Sequence, residues 1–161
     1  MAKKRVYVES SVFSWLTANP PNDILKLAKQ RQTHMWWERR HTWELFISPV
    51  VVREIRDGDP AAARKRLEAA NGLPVVPETE DARRLADHLI AVKAVPERYF
   101  DDAMHIAIAS VQGMDYLATW NQKHLFKAEG IEGVYKAVRQ MRHTPAVLVR
   151  PDGLLETYHG I

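Results

Sequence analysis

The chain has 161 residues, 46% of them hydrophobic and 27% charged, with 9 Pro and 7 Gly spread along it without a low-complexity tract. This balance excludes a disordered, fibrous or collagen-like protein and predicts a single domain over residues 1–161. Cysteine is absent, which removes disulfide frameworks, thiolate zinc sites, iron–sulfur clusters and cysteine nucleophiles together. The net charge of +3 suits a polyanionic partner and plain solubility alike, so only its distribution is informative. No stretch approaches the roughly 20 apolar residues of a membrane span, and the basic start, Met1 to Arg5, runs into Glu9 instead of a signal-peptide core, which predicts a cytoplasmic chain.

In chain order, Val6-Tyr7-Val8 is a short apolar run suited to a strand buried on both faces, with Glu9, Ser10 and Ser11 at its carboxyl end. A helix is expected to begin there and carry Val12, Phe13, Trp15 and Leu16 inward. Asn19-Pro20-Pro21-Asn22 breaks it, and Asp23 restarts a long helix to about His41. Between Asn22 and Trp43, Lys26, Lys29, Arg31, Arg39 and Arg40 face only Asp23 and Glu38, giving this stretch a net charge as large as that of the whole chain. Leu45-Phe46-Ile47 reads as a second buried strand, and Ser48-Pro49 as a helix start, a capping hydroxyl followed by proline at the first helical position. That helix carries Glu54. Asp57-Gly58-Asp59-Pro60 interrupts the pattern, Ala61 to Ala70 resumes it, and Leu73 to Val76 reads as a third strand.

Helices follow over Thr79 to Val92 and from near Glu97 to a terminating Gly113. Tyr116-Leu117-Ala118 is the fourth strand, running into Thr119-Trp120-Asn121. A helix around Gly133 to Met141 and a fifth strand at Ala146 to Val149 complete the series. Short apolar strands alternating with helices predict an α/β fold: three layers, α/β/α, around a mainly parallel sheet of five strands. In such sheets ligands bind outside the carboxyl ends of the strands, where Glu9 and Asn121 are expected.

The sequence lacks a Walker A loop, a dinucleotide glycine fingerprint, a nucleophile-elbow serine and a His-Glu-x-x-His zinc motif. What remains is acidic. Glu9 follows the first strand, Glu54 rides the helix after the second, and Asp101-Asp102 opens the apolar helix Ala103-Met104-His105-Ile106-Ala107-Ile108-Ala109. Each acid alone has an ordinary explanation as a solvated strand end, an exposed helix charge beside Arg53 and Arg56, or a partner of a helix dipole. As a set they are candidates for one pocket, because Glu9 and Asp102 adjoin apolar segments where a carboxylate is costly without a cation.

Taken together, Val6-Tyr7-Val8-Glu9-Ser10-Ser11, Val51-Val52-Arg53-Glu54, Asp102 to Ala109 and Asp115-Tyr116-Leu117-Ala118-Thr119-Trp120-Asn121 resemble the PIN-domain nucleases. The resemblance is to the VapC-like branch, the ribonuclease toxins of type II toxin–antitoxin systems, and it runs in order from about Arg5 to Leu155. It implies a Mg²⁺- or Mn²⁺-dependent endoribonuclease with one or two ions per site. Glu9, Glu54 and Asp102 would be the metal carboxylates, and Asn121 would take the fourth position of the acidic pocket. The family's first acid is commonly Asp and its fourth position often Asp, so Glu9 lengthens one ligand and Asn121 removes a charge. Oxygen-only ligands agree with a hard divalent ion. The expected reaction is in-line attack of a metal-bound water on phosphorus, leaving a 5′-phosphate.

Ser10 is open between a hydrogen bond to a pocket carboxylate or water and a helix N-cap. His105, three residues after Asp102, is open between supporting the site and being a satisfied core histidine. His124 stands in the loop after Asn121 as a candidate phosphate contact or a solvated side chain. Arg53, Arg56 and Lys123 are candidate RNA contacts, with Arg64, Lys65, Arg66 and the basic helix from Lys26 to Arg40 adding positive charge. Trp36 and Trp37 are adjacent and cannot both face a core, so one is expected to meet a dimer mate, an antitoxin or a stacked base. The resemblance further implies a homodimer and a cognate antitoxin covering the acidic site. Two other readings stay open: a related nuclease of RNA maturation or DNA processing, and a non-catalytic RNA-binding or interaction module that keeps the fold with a degenerate site.

Overall fold

The structure, a computed structural model, describes residues 2–121 and 128–159. Four strands, β1 (Arg5–Val8), β2 (Glu44–Phe46), β3 (Tyr116–Ala118) and β4 (Val147–Val149), form one sheet in the order β2-β1-β3-β4, and every pairing is parallel. Val6 and Val8 point to one face of the sheet and Tyr7 to the other, yet all three are fully buried, so both faces of the central strand are covered. Eight α-helices accompany these strands among the described residues: α1 (Ser10–Thr17), α2 (Ile24–Glu38), α3 (Pro49–Arg56), α4 (Pro60–Ala70), α5 (Glu80–Ala91), α6 (Phe100–Val111), α7 (Ala128–Gln140) and α8 (Pro151–His159). None of the described helices is long and apolar enough to cross a membrane.

The helix starts are written locally. Asp23, Ser48, Asp59 and Thr79 cap α2, α3, α4 and α5, each accepting a hydrogen bond from an amide of the first turn, and proline occupies the first position of α3 and α4. Helix α6 differs from its neighbours. Ala103 through Ser110 are eight consecutive buried residues, so this helix has no solvent face over that span and packs against α5, α3 and β3. Its two buried polar side chains are both bonded, Ser110 to the amide of Ala146 and His105 as described below.

Several expectations change. Among the described residues the sheet has four strands and not five: Leu73 to Val76 pairs with the chain after β2 only through an isolated bridge between Ile47 and Val75. Pro74 has no amide to extend a ladder, and Val75 is exposed, so this segment forms a single bridge instead of a strand. The long basic helix ends at Glu38, followed by a 3₁₀ turn at Arg40–Thr42. The helix after Val95-Pro96 begins as a 3₁₀ turn, Glu97–Tyr99, before α6 proper. Helix α7 starts earlier than expected, and α8 was not foreseen, although Pro151 and the buried pair Leu154 and Leu155 are its signals. Trp36 is fully buried. Trp37 is half-buried, edge-on to Phe13 with the Arg40 guanidinium 4.9 Å from its ring centroid.

Gly113 closes α6 with φ of +73° and starts the turn into β3. An L-residue in this left-handed conformation costs roughly 1–2 kcal/mol, and a Cβ here would approach the Arg5 guanidinium at 3.4 Å. Gly113→Ala is therefore expected to lower unfolding free energy by about that amount, measured by urea denaturation. An unchanged midpoint would remove this account of the turn.

Candidate active site

Strands β1 and β3 lie side by side at the centre of the sheet. The chain leaves β1 to reach β2 on one side and leaves β3 to reach β4 on the other, so the loops part above the carboxyl ends of this pair and open a crevice. Glu9 stands at the rim. Its amide extends the ladder to Ala118 O at 3.0 Å, and its side chain caps α1. Oε2 accepts from the Ser11 amide and from Ser10 Oγ at 2.9 Å, and Oε1 accepts from Thr119 Oγ1 at 2.8 Å. Thr119 Oγ1 also accepts from the Asn121 amide, while Ser11 Oγ accepts from the Trp120 amide, both at 2.9 Å. The residues after β1 and those after β3 are thus laced together.

Glu54 arrives from the other side of the crevice. The Ser48-Pro49 start sets the phase of α3 so that Val50, Val51 and Ile55 face the core, and Glu54 is left half-buried at the crevice wall. Its Oε1 accepts from Ser10 Oγ at 3.1 Å and from His105 Nε2 at 2.5 Å. One serine hydroxyl therefore spans Glu9 and Glu54. The other imidazole nitrogen, Nδ1, meets the Tyr7 hydroxyl at 2.6 Å, and the same hydroxyl meets Ser48 Oγ at 2.6 Å.

Asp102 lies one turn before His105 on α6, half-buried, near the Asn121 side chain and within electrostatic reach of Glu9, Glu54 and His105. The three carboxylates differ in electrostatic setting. Burial pushes Glu54 upward, but the hydrogen bond and charge of His105, with Ser10 and Arg53, outweigh it and hold Glu54 below the ordinary carboxylate range. Burial opposes the charge on His105, yet Glu54, Glu9 and Asp102 together raise it above the ordinary imidazole value. Asp102 has no such compensation: burial raises it, and the negative fields of Glu9 and Glu54 add to that against the pull of His105 and Asn121. Burial also pushes the Tyr7 hydroxyl well up, keeping it neutral at any working pH.

Hydrogen bonds therefore join Glu9, Ser10, Glu54 and His105 in one network, the Asn121 amide is tied to it through Thr119, and Asp102 stands beside it within electrostatic reach of Glu9, Glu54 and His105. Ser10 is not the N-cap, a role Glu9 fills, and joins two carboxylates instead. His105 is both a satisfied core histidine and a support of Glu54. Arg53 is exposed and pairs with Asp101 at 3.0 Å, which takes Asp101 out of the network. Arg53 and Arg56 line a hollow of about 380 Å³ with Glu54, Asp57 and Asp101; a larger one of about 590 Å³ between α3 and α4 shares only Arg56 with it. Chemistry and not size picks the site, because the larger hollow holds none of the network. Lys123 and His124 lie outside the described residues. Tyr7, Ser48 and Thr119 belong to the network although their sequence context gave only strand, cap and loop.

The donor set suits a hard divalent cation, being three carboxylates, an amide and hydroxyls. Asp102 is where such an ion would relieve most electrostatic cost. As placed, however, the side chains form no ready cage: among the described residues, no three His, Asp or Glu side chains are grouped so as to hold a metal ion. Protein donors occupy both oxygens of Glu9 and one oxygen of Glu54, so those groups would have to exchange partners to take a cation. No protein-family model matches the chain, and no curated protein matches it.

Two outcomes follow from these charge settings in the metal-free protein. His105, raised above 6.5, contributes stability that is complete below pH 6.5 and is lost as pH rises through its higher value; Glu54, lowered from 4.5, contributes stability complete above pH 4.5 and lost as pH falls through its lower value. The pair therefore contributes in full between pH 4.5 and 6.5. Denaturation curves should show wild-type stability falling above that window more steeply than His105→Gln, and parallel profiles would contradict the pairing. Asp102, raised by burial, is a net liability when ionised. Asp102→Asn is accordingly expected to raise the metal-free Tm by a few degrees, and a drop in Tm would show that its charge is already balanced.

Proposed function

We propose that this chain is a metal-dependent endoribonuclease of the PIN-domain, VapC-like kind, acting as the toxin of a type II toxin–antitoxin pair in the cytoplasm. One observation carries the reading. Glu9 after β1 and Glu54 on α3 are joined through Ser10 where the two central parallel strands part, and Asp102 on α6 lies within electrostatic reach of both. The PIN-like identity of the α/β fold is part of the same reading, supported by the order of the four motifs along the chain.

Glu9, Glu54 and Asp102 would hold one or two Mg²⁺ or Mn²⁺ ions, and the chemistry such an ion supplies is acidification of water and neutralisation of charge at a phosphodiester. The chain's own residues do the rest. Asn121 stands beside Asp102, Ser10 sets the spacing of Glu9 and Glu54, and His105 fixes the Glu54 carboxylate. Arg53 and Arg56, exposed at the mouth, offset the negative potential that would otherwise repel RNA phosphates. An antitoxin segment covering the pocket and a homodimer belong to this reading as partners.

A second reading has its own support. The saturation of Glu9 by protein donors is what a non-catalytic RNA-binding module with a degenerate site would show.

The deciding experiment incubates the protein with structured and unstructured RNAs in Mg²⁺, Mn²⁺ or EDTA, beside Asp102→Asn and Glu9→Gln. The expected result is cleavage that needs the ion, leaves 5′-phosphate ends and falls by about 100-fold or more in both variants. Cleavage surviving EDTA, or undiminished in both variants, would refute the mechanism. RNA retained without cleavage under every condition would favour the binding module.

A further inference from the structure

Behind Glu54 runs a buried chain of polar groups that core packing does not explain. Tyr7 is fully enclosed in β1, where phenylalanine would fill the same space without needing a polar partner. Instead its hydroxyl touches Ser48 Oγ and His105 Nδ1, both at 2.6 Å, and His105 Nε2 touches Glu54 Oε1 at 2.5 Å. We propose that Tyr7 is a positioning residue that acts through His105 to fix the Glu54 carboxylate, engaging Oε1 and leaving Oε2 as the oxygen available to a ligand. The proposal rests on the reading of Glu54 as a site carboxylate.

The direction of the chain follows from donor and acceptor counting. A carboxylate only accepts, so His105 Nε2 must carry a proton. Where His105 is neutral, Nδ1 can therefore only accept, so the Tyr7 hydroxyl donates to it and in turn accepts the Ser48 hydroxyl proton, while Ser48 Oγ also accepts from the Val51 amide at 3.3 Å. Where both imidazole nitrogens are protonated, Nδ1 instead donates to the Tyr7 oxygen and Tyr7 to Ser48 Oγ; in either state the bond to Tyr7 keeps Nε2–H aimed at Glu54. Three elements converge in the chain, β1 through Tyr7, the start of α3 through Ser48 and the core of α6 through His105, so the ring can neither flip nor slide without breaking a buried bond. Among the described residues Glu54 Oε2 has no hydrogen-bond partner, whereas Oε1 has two. A ligand reaching Glu54 therefore meets an oriented oxygen instead of a rotating carboxylate.

The test compares wild type with Tyr7→Phe, His105→Gln, His105→Asn and, as a control, Tyr135→Phe. Tyr135 supplies the equivalent loss elsewhere, since its hydroxyl accepts from the Leu148 amide at 2.9 Å outside the network. Each protein is measured for Mn²⁺ binding by calorimetry, for imidazole ¹⁵N signals by NMR, for Tm, and for kcat and KM on RNA.

Tyr7→Phe is expected to weaken Mn²⁺ binding by roughly tenfold, to shift the His105 nitrogen signals and to lower kcat with little change in KM. Tyr135→Phe should lower Tm while leaving Mn²⁺ binding and the His105 signals as in wild type. His105→Gln, whose amide reaches toward the position of Nε2, should keep more Mn²⁺ affinity than His105→Asn, whose amide reaches only that of Nδ1. Wild-type Mn²⁺ binding together with unshifted His105 signals in Tyr7→Phe would overturn the proposal. A wild-type chain that neither binds Mn²⁺ nor cleaves RNA would instead overturn the nuclease reading, and the ¹⁵N signals would then decide the Tyr7–His105–Glu54 coupling alone.

Discussion

A carboxylate with 5% of its surface exposed is expensive unless its charge is met at once, and Glu9 is such a group. The donors that meet it come from both sides of the sheet's central seam: the first turn of α1 through Ser10 and Ser11, and the end of β3 through Thr119. This single anion therefore fixes where α1 begins, how it leaves the sheet and how the segment after β3 must run beside it. The amide of Glu9 bonded to Ala118 and the Ser11 hydroxyl bonded by Trp120 follow from the same register. Remove the charge and the loops on either side of the crevice lose their common anchor.

The other two acids are treated differently, and the contrast gives the site its character. Glu54 is balanced by an imidazole held in the core, whereas Asp102 sits half-buried in the negative fields of its neighbours. Negative charge is thus neutralised at the back of the crevice and left over on one side. A pocket built this way keeps one half-buried carboxylate whose charge the protein does not offset, and groups perturbed in this way cluster at functional sites. Protein donors on Glu9 and Glu54 hold the resting arrangement together in the meantime.

Much of this was legible in the sequence, for identifiable reasons. The apolar runs at Val6 to Val8, Leu45 to Ile47, Tyr116 to Ala118 and Ala146 to Val149 are short and flanked by turn or cap residues, so strand type and succession along the chain could be read directly. Ser48-Pro49 and Gly113 are backbone signals that need no tertiary context, and both stand where they were expected. Leu73 to Val76 misled because hydrophobicity alone does not reveal that Pro74 breaks the ladder and Val75 faces outward. The grouping of Glu9, Glu54 and Asp102 was legible only as an expectation, from carboxylates beside apolar segments and from the resemblance of the four motifs. The hydroxyls of Tyr7, Ser48 and Thr119 escaped notice because a strand tyrosine, a capping serine and a loop threonine each already had a local reason to be there. Only tertiary packing shows that they also face one another.

The two outer strands of the sheet, β2 and β4, are three residues long each. One flank of β2 is further occupied where the chain just beyond it bridges to Val75. Open flanks this brief present too few free backbone groups to template the addition of a foreign strand, so the sheet carries its own protection against aggregation by edge-to-edge growth.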